Sequence, residues 1–139
     1  MRATIQDVMT TNLVTCPSSA TIADAARLMR DRNIGDVLVT DSDRLVGIVT
    51  DRDLVVRCLA DGAGADATLD RACKNGELVS VNPDSGIDDA AKLMRDRSVR
   101  RLAVVNDGRA VGIVTLGDLA MKSDPKSALG KISAAQPTR

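Results

Sequence analysis

Leu28-Met29-Arg30-Asp31-Arg32 and Gly47-Ile48-Val49-Thr50 decide how this chain folds, because both stretches return. They recur as Leu93-Met94-Arg95-Asp96-Arg97 and Gly112-Ile113-Val114-Thr115, each at a shift of 65 residues. Laid on itself at that shift, the chain aligns Leu13 to Leu54 with Leu78 to Leu119 without a gap, and about half of the paired positions are identical. A repeat of this kind signals one supersecondary unit used twice, and a unit this small would be marginal alone.

Each copy reads as βαββα. In the first, Leu13-Val14-Thr15 is a short apolar strand stopped by Pro17. Thr21 caps a helix to Arg32, with Ile22, Ala25, Ala26 and Met29 on one apolar face. Asp36 to Thr40 reads as a buried strand, Asp41-Ser42-Asp43 as a turn, and Leu45 to Thr50 as the next strand. A helix opens at Asp51-Arg52-Asp53 and ends near Gly62. The second copy gives a strand at Leu78-Val79-Ser80, a helix over Ile87 to Arg97, and strands Arg101 to Val105 and Ala110 to Thr115. Asn106-Asp107-Gly108 turns between those two strands, and a helix starts at Gly117. Ala63 to Thr68 links the copies, and a helix near Leu69 to Cys73 mirrors Ile5 to Met9. The expected domains are a first repeat at 1–62, a second at 63–122, and a tail at 123–139 with a short helix around Ser127 to Ile132.

Composition narrows the function classes. The 139 residues carry equal numbers of acidic and basic side chains, so no global pull on nucleic acid or an anionic membrane is expected. Phe, Tyr and Trp are absent, which removes the platforms that single-strand binders stack bases on. No apolar run reaches membrane-span length and the first residues lack a signal-peptide core, so the cytoplasm is the expected location. Without histidine or a C-x-x-C pair, no metal site is expected. Cys16, Cys58 and Cys73 do not form a disulfide framework and read as packing residues. No nucleophile–base pair or phosphate-loop motif is present, and the expectation is a protein that is not an enzyme.

The repeat resembles a CBS domain, on the strength of Gly47-Ile48-Val49-Thr50-Asp51-Arg52-Asp53-Leu54 and Gly112-Ile113-Val114-Thr115-Leu116-Gly117-Asp118-Leu119. Ile34 to Val39, Val99 to Val104 and Val8-Met9-Thr10 fit as well. The likeness covers about residues 5 to 122 and is to a stand-alone bacterial CBS pair, or Bateman module. It implies an α+β fold of tandem repeats, packed sheet to sheet with pseudo-twofold symmetry. It further implies a flat homodimer and a regulatory ligand such as AMP, ADP, ATP or another adenosyl compound in the cleft between repeats.

The resemblance also implies the site residues. A Thr-x-x-Asp motif after the second long strand would contact the ligand, the carboxylate taking the ribose hydroxyls. Thr50 and Asp53 match it in one copy, Thr115 and Asp118 in the other. The same residues suit a plain capping box. One cleft would combine Ile48, Thr50, Arg52 and Asp53 with Leu78, Val79, Val99, Arg100 and Arg101. There aliphatic groups would sandwich adenine and the arginines would meet phosphate, helped by unpaired N–H groups at the helix start. The other would combine Leu13, Val14, Ile34, Gly35 and Asp36 with Ile113, Thr115, Gly117 and Asp118. Gly117, Gly35 and Asp36 replace the three arginines there, which makes the first cleft the expected nucleotide site. Helix faces with Ala25, Leu28, Ala90 and Leu93 are candidate dimer contacts, with core packing as the alternative. The competing function is a ligand-free homodimeric scaffold that docks a protein partner.

Overall fold

In the computed structural model the described residues are 3–73 and 78–123, so the helix expected around Ser127 to Ile132 lies outside them. The contacts divide the chain into two compact units. The first runs from Val14 to Leu78; the second joins the segment up to Leu13 to the chain from Val79 onward.

The first unit holds β1 (Thr15–Pro17), α1 (Ile22–Arg32), β2 (Asp36–Asp41), β3 (Arg44–Thr50) and α2, which opens as one α-helical turn, Asp51–Asp53, and continues as a π-helix, Leu54–Leu59. The second holds β4 (Ser80–Val81), α3 (Ile87–Arg97), β5 (Arg101–Asn106), β6 (Arg109–Thr115) and α4 (Leu116–Ser123). Each unit is therefore βαββα. Its sheet runs β1-β2-β3 or β4-β5-β6, with the first pair parallel and the second antiparallel.

Local chemistry explains most of these boundaries. Thr21 accepts from the Asp24 N–H at 3.1 Å while the Asp24 carboxylate accepts from the Thr21 N–H at 3.1 Å, a reciprocal cap that fixes the start of α1. Asn33 and Ser98 end α1 and α3 in the left-handed conformation, both at φ 55°, and turn the chain back toward the sheet. Ser42-Asp43 and Asp107-Gly108 are two-residue hairpin loops with positive φ throughout, the geometry that matches strand twist.

The short first strands sit later than the sequence predicts. Pro17 does not stop β1 but ends it, pairing in register with Thr40, because an edge strand tolerates a residue without an N–H. Leu13 and Val14 precede the strand, although the Val14 carbonyl still accepts from the Leu38 N–H at 3.0 Å. In the second unit the strand is Ser80–Val81, with Leu78 and Val79 before it.

Val37, Val39 and Val49 face α1 and α2 in one core with Ala25, Met29, Leu54 and Cys58. Leu102, Val104 and Val114 do the same with Ala90, Met94 and Leu119. Ala25 and Ala90 are fully buried and Leu28 and Leu93 pack against these cores. On the face expected to meet a second copy the two alanines are thus core, where their small size lets each helix lie close on its sheet, while Leu28 and Leu93 are half-buried. The three most exposed large apolar side chains among the described residues stand on α2: Val55 at 55 %, Val56 at 47 % and Leu59 at 68 %.

The lead-in segments are exchanged between the linear halves 1–62 and 63–122. Ile5 opens a 3-10 turn, Ile5–Asp7, and is fully buried in the core of the second unit. Its N–H donates to the Ser85 carbonyl at 2.9 Å, and Thr10 and Ile113 exchange backbone bonds of 2.8 and 3.0 Å. Leu69, in the equivalent turn Leu69–Arg71, is buried in the core of the first unit and donates to the Ala20 carbonyl at 2.9 Å. Among the described residues no helix is long and apolar enough to cross a membrane.

Candidate functional site: the Thr-x-x-Asp turns

Each unit turns from its last strand into its last helix through the motif that the sequence singles out. Thr50 accepts from the Asp53 N–H at 3.1 Å, and Asp53 Oδ2 accepts from the Thr50 N–H at 2.8 Å. Thr115 and Asp118 repeat this at 3.1 and 2.9 Å. Both turns are complete capping boxes. All four residues are half-buried, so each box is also reachable from solvent. A cap uses one carboxylate oxygen, which leaves the second, Oδ1, to meet something else.

The two turns differ in what surrounds the cap. In the first unit Asp53 Oδ1 pairs with Arg57 Nε at 3.4 Å, with the two side chains 22 % and 31 % exposed. The Arg52 N–H donates to Asp51 Oδ1 at 2.8 Å, and the Asp51 N–H donates to the Gly35 carbonyl at 3.0 Å. The expectation of unpaired N–H groups at this helix start is therefore corrected: the amides of Asp51, Arg52 and Asp53 all have acceptors within the unit. In the second unit the Leu116 N–H likewise donates to the Arg100 carbonyl at 2.8 Å. Leu116 stands where the first copy has Asp51 and brings no carboxylate to the Gly117 N–H. Among the described residues Asp118 makes no ion pair. In the sequence Asp51 reads only as part of the helix opening and Arg57 carries no role; the four-residue spacing of Asp53 and Arg57 on one helix is the signal available for the pair.

The other expected residues divide between the units. Ile48 is half-buried in β3 opposite Leu38, and Ile34 packs on the first core, as does Val14. Gly35 and the buried Asp36 lead into β2. In the second unit Val79 and Val99 pack on the core, Arg100 is exposed and Arg101 half-buried, while Ile113 is only 2 % exposed. Leu13 is half-buried just ahead of the first unit, and Leu78 is exposed at its end. Cys16 and Cys58 are buried and Cys73 half-buried; burial, ahead of any nearby charge, pushes all three thiols above their ordinary value. Among the described residues no three cysteines or carboxylates are grouped to hold a metal ion.

The family pattern described as CBS domain matches residues 5–59 and again 67–124. The chain belongs to the CBS domain family. It is a tandem CBS pair, 37 % identical over 128 residues to the CBS domain-containing protein YhcV of Bacillus subtilis, covering 92 % of this chain and 91 % of that one. Among solved structures it is similar to Hypoxic Response Protein I with two coordinated zinc ions, with a TM-score of 0.76, 33 % identity, and coverage of 85 % of this chain and 97 % of that one. It is also similar to the CBS domain pair of protein MJ0100 in complex with 5-methylthioadenosine and S-adenosyl-L-methionine, with a TM-score of 0.80 and 26 % identity, covering 91 % of this chain and all of that one. The zinc and the adenosyl compounds are properties of those proteins. The CBS match begins at residue 5, so it takes in the buried Ile5 of the exchanged lead-in segment.

Proposed function

We propose that this CBS pair is a regulatory module that senses an adenosyl compound through its Thr-x-x-Asp turns. The observation that carries the reading is the half-buried carboxylate of each turn, which spends one oxygen on the cap and keeps a second to meet a ribose diol, shared with Arg57 in the case of Asp53. The adenosyl complex of the similar MJ0100 pair supports the ligand class. The proposed contacts are Ile48, Thr50, Arg52 and Asp53 in the first unit and Thr115 and Asp118 in the second. The aliphatic side chains of Leu78, Val79 and Val99 would serve the base, and Arg100 and Arg101 a phosphate. Binding would act by shifting the population of conformers that a partner or second copy recognises.

Thermal melting with millimolar AMP, ADP, ATP, NADH and S-adenosylmethionine tests this reading. A compound present at about 100 times its dissociation constant adds roughly 2.7 kcal/mol, a shift of several degrees. Asp53→Ala and Asp118→Ala should each reduce that shift. A melting point unmoved by every compound would favour the ligand-free scaffold.

A second copy of the chain is the proposed protein partner, with the exposed Val55, Val56 and Leu59 of α2 as the surface offered to it. Light scattering should report a dimer for the native chain and a monomer for Leu59→Glu, which places a charge on the apolar patch. A native monomer would contradict this part of the reading.

A further inference from the structure

We infer that Arg57 and Asp51 set the ligand preference of the first repeat, Arg57 by holding the second oxygen of Asp53 and Asp51 by occupying the helix start. The inference rests on the adenosyl reading of the Thr50–Asp53 turn and goes beyond it by assigning two residues that act through that turn. Asp53 has two oxygens: Oδ2 takes the Thr50 N–H at 2.8 Å, and Oδ1 takes the Arg57 guanidinium at 3.4 Å. A ribose diol offering its hydroxyls to Oδ1 therefore competes with Arg57. Asp51 acts on a different part of the ligand. Its carboxylate takes the Arg52 N–H at 2.8 Å, the amide that a phosphate at this helix start would otherwise use, and its charge repels a phosphate placed there. The second repeat carries Lys122 and Leu116 at the matching positions, so it lacks the carboxylate of Asp51, and among the described residues Asp118 makes no ion pair.

The two residues predict separable changes. Arg57→Gln releases the Asp53 oxygen but also removes a positive charge, so it should tighten adenosine by about fivefold, the scale of a partly exposed ion pair, and AMP by less. Asp51→Asn removes the repulsion and should tighten AMP by several-fold while leaving adenosine unchanged. Calorimetry with adenosine and AMP on the full chain, in an Asp118→Asn background that removes the second carboxylate, reads both. A residue with only a structural role would move the melting point but not the AMP-to-adenosine ratio, so melting is recorded alongside. If the Asp118→Asn chain binds adenosine and Arg57→Gln leaves that affinity unchanged or weaker, the role of Arg57 is overturned while the adenosyl reading stands. Equal tightening of AMP and adenosine by Asp51→Asn overturns the role of Asp51. If neither the native chain nor any variant binds either compound, the adenosyl reading fails and this inference with it.

Discussion

Ile5→Ala is expected to destabilise the second unit by about 3 kcal/mol and to leave the first nearly untouched. Ile5 is fully buried among Ala90, Met94, Leu102, Val104, Val114 and Leu119, all far along the chain from it. Truncation removes three methyl-sized groups from that core and leaves a cavity which the surrounding strands cannot close without breaking the β5–β6 ladder. Hydrogen exchange gives the cleanest measurement. Amides of β5 and β6 should lose protection, while those of β2 and β3 keep theirs, since opening is local to the unit that lost the contact. Leu69→Ala should give the mirror image, because Leu69 is the fully buried lead-in residue of the first unit. Loss of protection in β2 and β3 on truncating Ile5 would contradict the exchange of lead-in segments.

Gly112→Val should cost about 2–3 kcal/mol, more than the same change at the equivalent Gly47. A Cβ at Gly112 would stand 2.5 Å from Met9 Sδ, 3.0 Å from Met9 Cγ and 3.1 Å from the Thr10 carbonyl oxygen. The methionine tail can swing away, but the Thr10 carbonyl is held at 3.0 Å by the Ile113 N–H, so the wedge must lift the lead-in segment from β6. At Gly47 the new atom would meet, among the described residues, only Cys73, with Sγ at 3.2 Å and Cβ at 3.6 Å, and a few tenths of an ångström of movement relieve it. Chemical denaturation of both variants reads the difference. Adding Met9→Ala to Gly112→Val should recover part of the loss, since it clears the two closest contacts. Equal losses at the two glycines would show that the Thr10 backbone is not the obstacle.

Much of each unit was readable in the residues. The helix spans Ile22–Arg32 and Ile87–Arg97 follow from apolar spacing and from caps that act over three or four residues. The hairpins follow from turn chemistry, and Thr50, Asp53, Thr115 and Asp118 stand together as their spacing requires. The short first strands begin two residues later than their apolar pattern predicts because a strand of two or three residues is defined by its partner, not by its own pattern. Ala25 and Ala90 look like a free face in a helical projection, yet small residues are also what close helix–sheet packing selects.

The amino-acid order alone determined the duplication, the βαββα content of each copy and the reciprocal caps at the Thr-x-x-Asp turns, since all of these are written in contacts a few residues apart. Folding in three dimensions decided that residues 3–13 complete the second unit, that Leu69 and Ala72 complete the first, and that Asp51 and Arg57 fill polar positions of one turn alone. The physical reason is range. A cap or a periodic face is satisfied by its neighbours in the chain, whereas the seat for a lead-in segment exists only after distant strands have paired, and two similar segments compete for two similar seats.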